Sequence, residues 1–167
     1  MSHNYLLILQ IIIITIFLPL AFFYLLRTFG KVDSIMLSEL HQRKIPLLMQ
    51  MALTLILITK SVTIFKFPEL FYFFLGGLLS TFFTYILLFF RIKASIHILG
   101  MVALTFFVFG MSMHFQINSI FTMALLFFII GIVASSRLQM KAHSMQELII
   151  GMAVGTLPQI TLWIFWL

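Results

Sequence analysis

Residues 70–90 read LFYFFLGGLLSTFFTYILLFF, 21 consecutive residues without a charged side chain. A membrane-spanning α-helix needs roughly 20 apolar residues to cross about 30 Å of hydrocarbon. Five other stretches of the chain qualify or nearly qualify by the same criterion. The sequence therefore predicts an all-α fold, a polytopic bundle of about six transmembrane helices. The predicted helices are 5–26 (with a kink at Pro19), 46–59 (with an extension to residue 65 left open), 70–90, 95–114, 117–134 and 147–167.

The composition of the chain indicates that lipid is its solvent. Of its 167 residues, 63% are hydrophobic and 8% are charged, whereas a soluble domain has about 25% charged residues. We therefore expect a single membrane-embedded domain over 1–167, in an integral membrane protein of the bacterial cytoplasmic membrane. The first apolar run has no basic residue before it and no small-x-small cleavage pattern after it, which predicts a retained helix rather than a signal peptide.

The charged residues lie between the apolar segments. The net charge is +6, and cations at segment ends favour anionic headgroups or a phosphorylated substrate as partners, not nucleic acid. The breaks at 27–44, 91–93 and 137–147 are each separated by two predicted helices, so all three should share one membrane face. The positive-inside rule weakly favours the cytoplasmic side for that face. The chain has no cysteine, which excludes disulfides and thiolate metal sites.

The break at 136–147 concentrates polar chemistry within twelve residues, SRLQMKAHSMQE. His143 and Glu147 are four residues apart, so on a helix they would share a face and the carboxylate could accept an imidazole N–H. Arg137 offers a planar fork suited to phosphate. Charged groups at a membrane boundary cost free energy to keep, so this cluster is a candidate functional site.

Two further clusters fall on the same predicted face, RKIP at 43–46 and KASIH at 93–97. Together the three clusters supply two histidines, a carboxylate, a serine and several cations. This set suits phosphoryl transfer that uses no metal and no cofactor. One imidazole attacks phosphorus while the carboxylate orients its ring, the other protonates the leaving alkoxide, and the cations neutralise the non-bridging oxygens.

The pattern Ser-Arg, five residues, His, three residues, acid resembles the third signature of the type 2 phosphatidic acid phosphatase family, which also includes vanadium haloperoxidases. Ala94-Ser95-Ile96-His97 looks like a degenerate copy of that family's second signature, Pro-Ser-Gly-His. The 43–46 cluster lies where the first signature should, but it matches poorly. The resemblance covers roughly 31–155. The chain departs from the family pattern at Glu147, where aspartate is usual, and at Ile96, where glycine is usual.

The resemblance implies a hydrolase of a lipid phosphate or prenyl diphosphate that works through a phosphohistidine intermediate. By the same resemblance, His143 is the nucleophile, Glu147 its orienting partner and His97 the general acid. The implied phosphate-binding residues are Arg137, Ser95, Arg43 and Lys44. Membrane lipids are the expected partners, and other membrane subunits remain open.

A second hypothesis is that the protein is a catalytically degenerate scaffold that acts as an accessory membrane subunit or as a binder of anionic lipid. The degraded first and second signatures favour this alternative. A transporter or channel is less favoured, because no charged residue lies deep within a predicted span. Arg91 and Lys93 fit end charges that extend from their spans to the headgroups.

Overall fold

The protein is described by a computed structural model that covers residues 2–31 and 40–167. Those residues form helices and contain no β-strand. The all-α fold class predicted from the sequence is therefore confirmed. The α-helices are α1 (Ser2–Ile12), α2 (Leu18–Thr28), α3 (Lys44–Ile56), α4 (Pro68–Phe89), α5 (Ile96–His114), α6 (Ile120–Gln139) and α7 (Met145–Leu162).

Six helical stretches in the described residues are long and apolar enough to cross a membrane. This number is the one the apolar segments predict, and it is compatible with an integral membrane protein. The first stretch joins α1 and α2, and the others each contain one α-helix. Their bounds are Tyr5–Thr28, His41–Ser61, Pro68–Phe89, Ile96–His114, Ile120–Gln139 and Met145–Phe165.

The chain divides into two compact units, Met1–Arg91 and Ile92–Leu167. In the first unit, a π-helical turn at Ile13–Phe17 joins α1 to α2. Pro19 lies directly after this turn, at the second position of α2. Proline has no backbone N–H and its ring clashes with the carbonyl four residues back in a regular α-helix. Where the sequence predicts a kink, the helix forms a wider, π-helical turn directly before Pro19.

Helix α3 begins two residues earlier than the sequence predicts. A 3₁₀ turn at His41–Arg43 leads into Lys44, so Pro46 is the third helical residue and not the first. A proline is tolerated there because the first four N–H groups of a helix have no intrahelical acceptor. At its other end, α3 continues into a π-helical turn at Leu57–Ser61, which extends the span beyond residue 59.

Helices α3 and α4 pack against each other in the first unit. The buried residues of α4 recur every four positions, at Gly76, Ser80, Thr84 and Leu88. Three of them are small, which allows close approach of two membrane helices. The Thr84 hydroxyl donates to the Ser80 carbonyl at 2.8 Å, so this buried polar group is satisfied within its own helix.

In the second unit, α5 packs against both α6 and α7. The apolar core of this unit contains Ile98, Val102, Ile130 and Leu148. The contact between α5 and α7 is a backbone contact at two glycines. A Cβ atom on Gly151 would lie 2.7 Å from the Ser95 carbonyl oxygen, and one on Gly155 would lie 2.5 Å from the Leu99 carbonyl oxygen.

Helix α6 differs most from its predicted bounds of 117–134. It begins at Ile120, whose N–H donates to the Asn118 side-chain oxygen at 3.2 Å, and it ends only at Gln139. Its polar last turn extends the helix beyond the apolar run that defined the prediction. A cation in the last turn interacts favourably with the helix dipole, and Arg137 occupies that position.

Candidate functional site

The candidate site lies in the second unit, where three chain segments meet. These segments are the residues just before α5, the loop 140–144 and the first turn of α7. We refer to Lys93, Ser95, His143 and Glu147 as the His143 cluster.

The contact between His143 and Glu147 is the central feature of this cluster. His143 Nδ1 lies 2.6 Å from Glu147 Oε2, and the histidine side chain is 5% exposed. The predicted pairing is therefore confirmed. The predicted reason for it is wrong, because His143 lies in the loop before α7 and not on the helix with Glu147. The loop bends His143 back over the first turn of α7.

Helix capping fixes the Glu147 carboxylate. Ser144 is the N-cap of α7, and its hydroxyl accepts from the Glu147 N–H at 3.3 Å. In return, Glu147 Oε2 accepts from the Ser144 N–H at 3.4 Å. This reciprocal capping box satisfies two N–H groups that would otherwise lack acceptors. The same carboxylate oxygen faces His143, so the helix start positions the imidazole partner.

The pairing with Glu147 determines which imidazole nitrogen carries the proton in the neutral ring. A carboxylate only accepts hydrogen bonds, so His143 Nδ1 donates to it. In the neutral ring, Nε2 then carries the lone pair. This arrangement matches what a nucleophilic or general-base histidine needs, a fixed ring and a stabilising negative charge behind it.

Lys93 joins the same cluster. Its ammonium donates to the Ala142 carbonyl at 2.9 Å and lies 3.9 Å from Glu147 Oε2. The interpretation of Lys93 as an end charge that extends to the headgroups is wrong, because its side chain is 18% exposed and bonded within the protein. The sequence did hold a signal for this contact. Glu147 is the sole acidic residue after Glu69, so it is the one carboxylate available to an inward-facing cation of this unit.

Ser95 contributes backbone contacts to the site. It is fully buried, and its N–H donates to the Glu147 carbonyl at 3.1 Å. Gly151 of α7 lies against it. Its hydroxyl has no hydrogen-bond partner among the described residues. The Ser95 backbone therefore connects the start of α5 to the start of α7 through a hydrogen bond. The role of Ser95 in binding phosphate stays a prediction.

The other predicted site residues are distributed as follows. His97 is the second residue of α5 and is exposed, and Arg137 is partly buried in the last turn of α6. Arg43 and Lys44 belong to the first unit. Arg43 is 2% exposed, whereas Lys44 is exposed and its ammonium lies 5.8 Å from the centroid of the Phe89 ring. Their assigned roles stay predictions.

Among the described residues, no group of three or more histidine, cysteine or acidic side chains is placed to hold a metal ion. Comparison with protein-family models, curated proteins and solved structures found no match for this chain. Its function is therefore inferred from the chemistry of its own side chains.

Proposed function

We propose that the protein is a membrane phosphatase, similar to the type 2 phosphatidic acid phosphatases, that hydrolyses a lipid-linked phosphate or diphosphate through a phosphohistidine intermediate. The 2.6 Å contact between His143 Nδ1 and Glu147 Oε2 is the observation that carries the proposal. It orients the imidazole and, in the neutral ring, places the lone pair on Nε2, beside the start of α7.

The proposed reaction has two steps. In the first, His143 Nε2 attacks phosphorus, the P–O bond to the leaving group breaks, and His97 protonates the leaving oxygen of the lipid alkoxide or lipid phosphate. Glu147 stabilises the positive charge that develops on the imidazole, and Arg137 pairs with the non-bridging oxygens. In the second, water attacks the phosphohistidine and gives a proton to His97, the P–N bond breaks, and inorganic phosphate leaves.

The character of the chain supports a lipid substrate. Six apolar helices give a lipid tail a hydrocarbon environment, and the His143 cluster lies where two of these helices begin and another ends. Basic residues at helix ends suit an anionic headgroup. We place the protein in the bacterial cytoplasmic membrane as part of the proposal, with membrane lipids as its partners.

The second candidate function is a non-catalytic scaffold, an accessory membrane subunit or a binder of anionic lipid. The buried Ser95 hydroxyl favours it, because a group that is fully buried offers little to an incoming phosphate. Ile96, at the position of the usual glycine, also adds a side chain where the backbone would approach that phosphate.

The proposal is tested by phosphate release from phosphatidic acid and from farnesyl diphosphate, measured on the full chain in detergent micelles with a metal chelator present. We expect turnover by the wild type and a loss of more than about 10³-fold in kcat for His143→Ala, since the nucleophile is removed. His114→Ala is the matched control, because His114 is exposed at the opposite end of α5. It should retain wild-type turnover.

Equal turnover in His143→Ala and the wild type would refute the proposal. No turnover by the wild type on either substrate, together with equal binding of wild type and His143→Ala to phosphatidic acid vesicles, would favour the scaffold.

A further inference from the structure

Lys93 makes two contacts that converge on the residues around His143. Its ammonium donates to the carbonyl of Ala142, the residue directly before His143, at 2.9 Å. It also lies 3.9 Å from Glu147 Oε2, the oxygen that faces His143 Nδ1. The Lys93 ammonium therefore contacts both the backbone of the loop before His143 and the carboxylate that pairs with the His143 ring.

Through these contacts, a residue that is distant in sequence restrains the position of His143. Lys93 and Ala142 are 49 residues apart in sequence. The loop 140–144 contains a residue with positive φ, Lys141 at 50°, so its backbone follows a turn that few non-glycine residues adopt. The capping box fixes Glu147 and Ser144, but it does not reach the loop before His143. In that loop the Ala142 N–H donates to the Arg137 carbonyl at 3.1 Å, and Lys93 adds a bond to the Ala142 carbonyl.

Lys93 and Glu147 are both partly buried. The Lys93 side chain is 18% exposed and that of Glu147 is 23% exposed. A partly desolvated cation interacts with a carboxylate more strongly than a solvated surface pair does. The charged and titratable groups on the elements around His143 are Lys93 before α5, His97 on α5, Arg137 on α6, Lys141 in the loop and Glu147 on α7.

We infer that Lys93 is a positioning residue for the reaction, which holds loop 140–144 and the Glu147 carboxylate so that His143 Nδ1 donates to that carboxylate. Lys93 acts through His143 and Glu147 and is not assigned a contact with substrate. The inference rests on the proposed function for its kinetic consequence. Its structural consequence, the fixed hydrogen bond at Nδ1, can be measured without turnover.

The test compares Lys93→Met, Lys93→Arg and the control Arg91→Met, which removes an equal charge from an exposed position two residues away. The full chain is labelled with ¹⁵N-histidine in detergent micelles, and the Nδ1 proton of His143 is assigned by its absence in His143→Ala. A hydrogen bond of 2.6 Å to a carboxylate should give a low-field proton signal. The near-ultraviolet circular dichroism of Trp163 and Trp166, at the far end of α7, reports whether each variant is folded.

We expect Lys93→Met to lose the low-field signal and about tenfold in kcat, with KM changed less than about twofold, since positioning acts on the chemical step. Lys93→Arg should restore most of both, because it keeps the cation and its donors. Arg91→Met should behave as the wild type.

A folded Lys93→Met that keeps the low-field signal overturns the inference. If Lys93→Met does not fold, Lys93→Arg decides: retention of the signal and of kcat supports the inference, and loss of both refutes it. If the wild type releases no phosphate, the proposed function fails, and the signal in Lys93→Met alone then tests the positioning role.

Discussion

A single carboxylate, that of Glu147, serves both the start of α7 and the orientation of His143. Its Oε2 atom faces His143 Nδ1 and also accepts from the Ser144 N–H. The extra methylene of glutamate over aspartate gives the reach that a capping box needs at the third helical position. Glutamate at this position therefore has a local structural reason in this chain.

The two roles of Glu147 can be separated by mutation. Glu147→Gln keeps an acceptor oxygen for the capping box but removes the charge that would stabilise an imidazolium. We expect it to stay folded and to lose about tenfold or more in kcat. Ser144→Ala removes the acceptor for the Glu147 N–H and should cost about 1 kcal/mol of stability, with a much smaller effect on kcat.

Thermal unfolding in detergent and the kcat for phosphate release measure the two effects. Full activity in Glu147→Gln would show that the carboxylate charge has no part in the reaction.

At the scale of elements, the pattern of apolar residues predicted the number of helices more accurately than the residues at which they begin and end. The number of spans follows from run length, but α6 continues for five residues beyond its predicted end because a polar turn at an interface remains helical. His143 is the opposite case, because the spacing argument assumed a helix where the structure has a loop. The contact of Lys93 with Ala142 could not be derived from spacing, since it depends on how closely α5 and α7 pack.

The close packing of α5 on α7 depends on Gly155. A Cβ atom there would lie 2.5 Å from the Leu99 carbonyl oxygen, a backbone atom that cannot move aside alone. We expect Gly155→Ala to destabilise the second unit by about 1–3 kcal/mol through overpacking. Gly100→Ala is the control, because a Cβ at Gly100 meets nothing within 4 Å. It should be neutral or stabilising by up to about 1 kcal/mol.

Chemical unfolding of both variants in mixed micelles, followed by tryptophan fluorescence, checks this difference. Equal stability of Gly155→Ala and Gly100→Ala would mean that the two helices can separate without loss.

For the whole molecule, the count of spans predicts on which side of the membrane each connection lies. Helices α5 and α6 separate Arg91 from Lys141, so these residues should share a side, whereas α4 separates Arg91 from Lys66. The chain has no cysteine, so single-cysteine variants give an unambiguous signal. We expect an impermeant maleimide to label Arg91→Cys and Lys141→Cys from one side and Lys66→Cys from the other.

Labelling of intact cells and of inverted vesicles measures the sidedness. The positive-inside rule predicts the cytoplasmic side for Arg91→Cys and Lys141→Cys. Opposite labelling of these two variants would show that one of the two intervening helices does not cross the membrane.

The bonds from Lys93 to Ala142 and from Ser95 to Glu147 have a consequence for biosynthesis. Their donors are synthesised about fifty residues before their acceptors. While the ribosome is still making α6, the lysine and the serine have been synthesised but the groups that complete the cluster have not. A nascent chain should therefore have no activity towards lipid until α7 enters the bilayer, so insertion of α7 would complete the site.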